Sequence, residues 1–365
     1  MPIIQEILHH LEKIAPPIYQ ENYDNSGLIV GNPQTEVKGI LVALDAIENI
    51  VQEAKTKNCN LIIAHHPIVF KALKRLNGNN YVERTILQAI KNDIAIYAIH
   101  TNLDNVNQGV NFKIAERLGL QKVKILAPKA QTLMKLTTFV PVADTQPVLQ
   151  ALGEAGAGQI GDYKKCTFSV EGKGTFEPNE KANPYIGQAG KLEEVAENRV
   201  EVIFPIHLQN KVLSALRASH PYEEIAYYLH SLENLNPEIG SGAIGDLPEA
   251  MNEKDFLLFL KERMKVSCIR HTAFLDKKIQ KVALCGGTGS FLLNKAISQK
   301  ADVFISADFK YHEFFDADNK ILIADIGHYE SEQFTQDLLA DFLKNNFTEI
   351  PIQLTTLNTN PINYL

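Results

Sequence analysis

Cysteine is scarce in this chain: four in 365 residues, at Cys59, Cys166, Cys268 and Cys285, with no C-x-x-C pair. That scatter argues against a structural zinc site and against a disulfide framework. Cys285 closes the apolar run KVALC and reads as a buried thiol. No apolar run approaches the ~18 residues of a membrane span. The N-terminus lacks the basic start and apolar block of a secretory signal, so the expected location is the cytoplasm. No long basic stripe is present and the net charge is −7. This argues against duplex DNA as the main partner and leaves only a local basic groove open to nucleic acid. GGTGS (286–290) follows a strand, but neither G-x-x-x-x-G-K-[ST] nor G-x-G-x-x-G is there. A tight structural turn is the better reading, with an anion at a helix start as the alternative.

What remains is an ordinary globular composition, 45% hydrophobic and 22% charged, with room for two or three domains. Ile3, Ile7, Leu8, Leu11 and Ile14 have the spacing of an amphipathic helix. Strands are expected over 40–45, 61–64 and 94–99, with helices over 47–57 and 82–92. The pattern returns at 281–285, 302–306 and 320–326, with helices to about 299 and from about 331. Alternating strands and helices indicate mainly parallel sheets covered on both faces. Shifted by about 240 residues, Val42-Ala43-Leu44 falls on Val282-Ala283-Leu284, which suggests two related α/β halves.

The middle differs. Residues 135–152 and 199–216 match at a shift of 64, each a strand, a turn and a helix. The Gly-rich stretch between them reads as hairpins and loops. A duplicated strand–helix unit with extra strands suggests a ferredoxin-like α+β insertion. The expected organisation is 1–127, first half of the core; 128–240, insertion; 241–365, second half. GSGAIGDLP, where the core resumes, has the turn chemistry of a linker.

Three strand ends carry metal-binding side chains: His65-His66-Pro67; His100, Asn102 and Asp104; and His328 with Glu332. Ligands of open α/β sheets bind at the carboxyl ends of the strands. Any one of these residues alone reads as an ordinary surface, core or turn residue. Their joint occurrence at three strand ends points to a metal site. His328 and Glu332 are four apart and share a helix face. Adjacent residues of an extended strand diverge, and Pro67 keeps His66 extended. His65 and His66 therefore suit two metals, or a sharp turn. His100 and His312 lie near the clusters and could support the ligands or move protons. His9, His10, His207, His230 and His271 have no partner pattern. Asp24, in YDNSGL, is either a turn or a site residue.

The stretches YDNSGLIVG, AHHP, HTNLDNVNQGVN, CGGTGS, DFKYHEFFDA and GHYESE, with GAGQIGDYKKC, ANPYIGQAGKLE and SHPYEEIAYYL in the middle, span essentially the whole chain. With them the sequence resembles the dinuclear metal-centre proteins known as GTP cyclohydrolase I type 2 homologues. The resemblance implies metal ligation by His65, His66, Asp104, His328 and Glu332, with Glu332 suited to bridging. It also implies a PII-like or CutA-like insertion and a homohexamer. Nitrogen and oxygen donors without thiolate suit two divalent ions such as zinc, iron, manganese or nickel. The expected function is metal-dependent hydrolysis of a nucleotide or related small molecule, with His100 and His312 as proton carriers. The alternative is a metal carrier or regulatory assembly without turnover.

Overall fold

A computed structural model describes residues 1–365, which divide into two compact units, Met1–Pro128 with Pro237–Leu365, and Lys129–Asn236. In the first unit one five-stranded sheet runs in the order Gly27–Val30, Ala95–Ala98, Leu61–His66, Ile40–Asp45, Ile352–Leu354. Its last four strands are parallel, with Ile40 opposite Leu61, Leu61 opposite Ala95 and Ile352 opposite Ile40. Gly27–Val30 closes one edge antiparallel. The strands LIIA and ILVAL carry no polar side chain because both faces are covered. On one face Leu41, Ala43, Ile62 and Ala64 pack with Ile50, Val51, Ile86 and Ala89 of the helices Glu48–Thr56 and Tyr81–Lys91. On the other, the helix Thr335–Lys344 packs against Ile40–Asp45 and Leu61–His66. Each large side chain so buried contributes roughly 1.5–3 kcal/mol. The N-terminal helix, Ile4–Ile14, buries Ile4, Ile7, Leu8 and Leu11 as its spacing requires.

A six-stranded sheet runs in the order Arg270–His271, Leu322–Asp325, Val303–Ala307, Lys278–Thr288, Asn236–Asn252, Gln121–Lys129. Its middle trio is parallel, with Val282 opposite Val303 and Val303 opposite Leu322. Each sheet therefore holds the parallel trio expected of a related half. The halves are not separate in sequence, however. Gln121–Lys129 joins the second sheet and Ile352–Leu354 returns to the first.

GSGAIGDLP is not a linker. It lies within the strand Asn236–Asn252, where Ala243 pairs with Leu284 and Gly245 with Val282. Its glycines serve close approach rather than a turn. A Cβ on Gly242 would stand 2.8 Å from the Leu284 carbonyl oxygen, and one on Gly245 would stand 2.9 Å from that of Gln121.

The unit Lys129–Asn236 holds a four-stranded antiparallel sheet in the order Thr167–Phe176, Glu193–Pro205, Leu133–Pro141, Tyr227–Leu232. The helices Thr145–Glu154 and Gln209–Ser219 follow the strands that end in Pro141 and Pro205. The order strand–helix–strand–strand–helix–strand is that of a ferredoxin-like unit. Leu136, Val140, Val200, Val202 and Phe204 meet Val148, Leu152, Val212 and Leu216 in its core.

Candidate metal centre

The strand Leu61–His66 delivers His65 and His66 at its carboxyl end. Both rings turn toward one region, with centroids 4.9 Å apart and planes at 47°, so the divergence expected of an extended strand is overcome at this end. The loop beyond Pro67 is fastened by Glu83, which accepts backbone N–H bonds from Asn77, Gly78 and Asn79 at 2.9–3.1 Å. Asn80 caps the helix that follows by accepting from the Glu83 N–H. The strand Ala95–Ala98 leads to His100 and to a short helix, Thr101–Asp104. The strand Leu322–Asp325 leads through Gly327 to the helix His328–Glu332. Five of the sequence-identified residues, His65, His66, Asp104, His328 and Glu332, thus converge, and His100 joins them. The ring of His100 lies 5.2 Å from His65 and 5.3 Å from His66. Donor atoms of His65, His66 and His100 lie within 4.8 Å of one another, as do those of His66, His328 and Glu332; either group could hold a metal ion.

Each imidazole is held from outside by an acceptor. His65 Nδ1 donates to the Ile99 carbonyl at 2.8 Å. A carbonyl only accepts, so the proton sits on Nδ1 and Nε2 turns a lone pair inward. Burial of this side chain pushes its pKa down to about 3 and keeps it neutral. His66 Nδ1 is 2.8 Å from Asp45 Oδ1, His100 Nδ1 is 2.7 Å from Asp24 Oδ1, and His328 Nδ1 is 2.6 Å from Asp308 Oδ2. Partners of this kind fix the tautomer and orientation of metal-binding histidines. Asp24 also accepts from Ser26 Oγ and the Thr101 N–H, both at 3.0 Å, and so belongs to the site. Asp308 further accepts from Thr288 Oγ1 at 2.6 Å.

The Glu332 carboxylate divides its two oxygens. Oε2 lies 2.9 Å from His66 Nε2 and 3.2 Å from His328 Nε2, whereas Oε1 lies 3.9 Å from His65 Nε2. His65 Nε2 is in turn 3.6 Å from Asp104 Oδ1. These last two atoms are buried and have no hydrogen-bond partner. A buried, unpaired nitrogen lone pair facing an unpaired carboxylate oxygen is costly unless a cation lies between them. Donors sharing an ion with bonds of ~2.0–2.1 Å stand roughly 3 Å apart, which is close to these separations. The residues therefore fit a metal.

Burial alone would raise the Glu332 pKa, but the His328 and His66 imidazoles hold it well below the usual range. Asp104 is pushed up by burial and by the Glu332 charge. Burial opposes the charged form of His66, yet its bonds to Asp45 and Glu332 raise it to about 10. His328 rises to about 11 against the same penalty, through Glu332 and Asp308. Those two imidazoles hold protons where a cation would replace them. Cys285, buried beneath the same carboxylates, is pushed far up and is no thiolate donor, in line with its reading as a core thiol.

The first three residues of GGTGS end the strand Lys278–Thr288 rather than forming a tight turn. Gly287 (φ +62°) passes so close to the centre that a Cβ there would lie 2.4 Å from Glu332 Oε1. Its N–H donates to Ser331 Oγ at 2.9 Å, and its carbonyl accepts from Ser306 Oγ at 3.0 Å. His312 stays outside both ligand groups; its ring packs with Tyr311 and Phe315. Asp45 and Asp308 escaped the sequence reading. Their one signal is position, at or just past the ends of ILVALD and VFISA.

The description Duf34/NIF3 (NGG1p interacting factor 3) matches residues 2–361. The chain belongs to this family. It is 37% identical over 366 residues to the "GTP cyclohydrolase 1 type 2 homolog" of Bacillus subtilis (strain 168), covering 99% of this chain and 98% of that protein. A crystal structure of a Bacillus cereus protein related to NIF3 superposes with a TM-score of 0.86 at 40% identity, covering 100% of this chain and 99% of that one. A Staphylococcus aureus crystal structure gives a TM-score of 0.79 at 28% identity, with the same coverage. The α/β architecture is thus that of NIF3 relatives, and the His/Glu cluster lies within the matched residues.

Proposed function

We propose that this NIF3 protein binds two divalent metal ions and uses them to hydrolyse a nucleotide or a related small molecule. One ion would be held by His65, Asp104 and Glu332 Oε1, the other by His66, His328 and Glu332 Oε2. The observation that carries the reading is the Glu332 carboxylate, whose two oxygens face two different sets of donors. The bound ions would supply Lewis acidity toward the substrate and toward water. Asp24 holds His100 Nδ1, which leaves Nε2 to take a proton from the attacking water. Asp45 and Asp308 keep His66 and His328 in their orientations. We assign the proton-carrier role to His100; His312 has no contact that supports it. The name of the Bacillus subtilis relative makes purine ring opening, with loss of formate, the first reaction to try.

The test is metal reconstitution followed by elemental analysis and a screen of nucleotides and phosphoesters. About two ions per chain and turnover abolished in His65→Ala are expected. A stoichiometry near zero, or uptake unchanged in a His65→Ala/His328→Ala double variant, would remove the site. One observation favours the metal-carrier reading instead: the His328 side chain is 36% exposed, so an ion there is open to exchange. A carrier would transfer metal to an apo-acceptor and hydrolyse nothing in the same screen.

A further inference from the structure

The last residues of the chain contact the centre from behind. After the strand Ile352–Leu354, the Thr355 N–H donates to the Val42 carbonyl at 2.9 Å, and the chain continues past the carboxyl end of Ile40–Asp45. Two consecutive residues then reach two different ligand-bearing elements. Thr359 Oγ1 donates to Asp45 Oδ2 at 2.5 Å, and Asp45 Oδ1 is the atom that holds His66 Nδ1. Asn360 Nδ2 donates to Glu330 Oε1 at 2.9 Å, and Glu330 lies inside the helix that presents His328 and Glu332. Glu330 is buried, and its other oxygen has no hydrogen-bond partner, so the Asn360 amide is the donor seen on that carboxylate.

We propose that Thr359 and Asn360 form a clasp between the two ligand-bearing elements, with Thr359 a positioning residue that sets His66 through Asp45. The physical reason is the freedom of a carboxylate. Asp45 could rotate about its side chain and carry the His66 ring with it. A hydroxyl fixed on its second oxygen removes that freedom, and outer partners of this kind are worth ~10–100-fold in metal affinity. The clasp rests on the metal-centre reading, and its geometry distinguishes it from general tail packing. The Thr359 bond ends on the Asp45 carboxylate, whose other oxygen holds His66 Nδ1, not on a backbone group of the sheet.

The experiment is cobalt(II) titration of the full-length chain against a competing chelator, following both affinity and the visible ligand-field spectrum. Thr359→Val removes the hydroxyl at nearly constant volume. It is expected to weaken cobalt binding about tenfold and to alter the band shape, whereas Thr359→Ser restores both. In an Asp45→Asn background, Thr359→Val should add little, because its path to the metal is already cut. Wild-type affinity and spectrum in Thr359→Val would overturn the clasp, as would a full tenfold loss on top of Asp45→Asn. A wild-type chain that takes up no cobalt would fail the metal-centre reading itself and the clasp with it. A chain that binds cobalt indifferently to Thr359 fails the clasp alone.

Discussion

Glu332 concentrates the chemistry of the centre because it is nearly fully buried and both of its oxygens are engaged. Replacing it by Gln keeps the shape but removes the charge and turns one donor oxygen into an NH2 group. We expect occupancy to fall at both metal positions and any hydrolysis to drop by about 100-fold or more. His328→Ala should empty mainly the position shared with His66. Anomalous diffraction from both variants separates these outcomes; full occupancy in Glu332→Gln would reduce the residue to a helix-turn carboxylate. Gly287→Ala tests the same atom from the other side. The added methyl would stand 2.4 Å from Glu332 Oε1, on a backbone of positive φ, so the carboxylate must move. Metal affinity should fall although no ligand is substituted, and isothermal titration would show it. The inner residues were legible because His, Asp and Glu at three strand ends are a joint pattern. The outer ones were not. Asp45 and Asp308 pair with His66 and His328 across 21 and 20 positions, and nothing local distinguishes them from turn residues; Asp24, which pairs with His100 across 76 positions, could be read only as a turn or a site residue.

At the scale of elements, periodicity located the parallel trios well, because strands buried on both faces read as continuous apolar runs. It failed where glycine has two meanings. GSGAIGDLP reads as a turn by composition, yet its glycines let the neighbouring strands at Gln121 and Leu284 come close. The return of Ile352–Leu354 to the first sheet was also invisible, since three residues carry no period. What fastens that strand is visible only in the structure. Glu53, on the helix Glu48–Thr56, accepts from the Thr356 N–H and hydroxyl, both at 2.9 Å, and from Thr355 Oγ1; Lys57 Nζ stands 2.7 Å from it. Burial would raise its pKa, but these donors bring it down to about 2. A carboxylate whose folded pKa is depressed stabilises the fold above its unfolded value and loses that contribution as pH falls through the folded one. Glu53→Gln should therefore cost about 1–2 kcal/mol at neutral pH. The difference from wild type should shrink between the usual glutamate pKa and about pH 2. Denaturant melts at a series of pH values provide the comparison, and a pH-independent difference would mean that the charge has no part in holding the strand.

For the whole molecule, the question is whether Lys129–Asn236 is a guest in the core or part of it. We propose that it is a separable ferredoxin-like domain, inserted between two halves that complete each other's sheets. The 64-residue repeat motivates this proposal, and both copies of the strand–Pro–helix unit bury their apolar residues together in one core. The interlocking of the halves was not legible, since it depends on which edge a late strand joins. The core's own ends give the physical test. Gln121–Lys129 and Asn236–Asn252 are neighbours in the six-stranded sheet, so the chain leaves and re-enters the core on adjacent strands. Replacing residues 129–236 by a short Gly/Ser linker closes a small loop at little entropic cost. None of His65, His66, Asp104, His328 or Glu332 is removed. The deleted protein should remain folded, with cooperative melting, and should bind the same two ions per chain in elemental analysis. We also propose, from the family resemblance alone, that the full chain is a hexamer, which would sediment at six times its 40.7 kDa mass. If the removed unit aids self-association, the core alone should shift toward smaller species. A core that loses cooperative melting would mean that residues 129–236 contribute to its hydrophobic interior. A core that melts normally but holds no metal would instead tie the centre to the inserted unit.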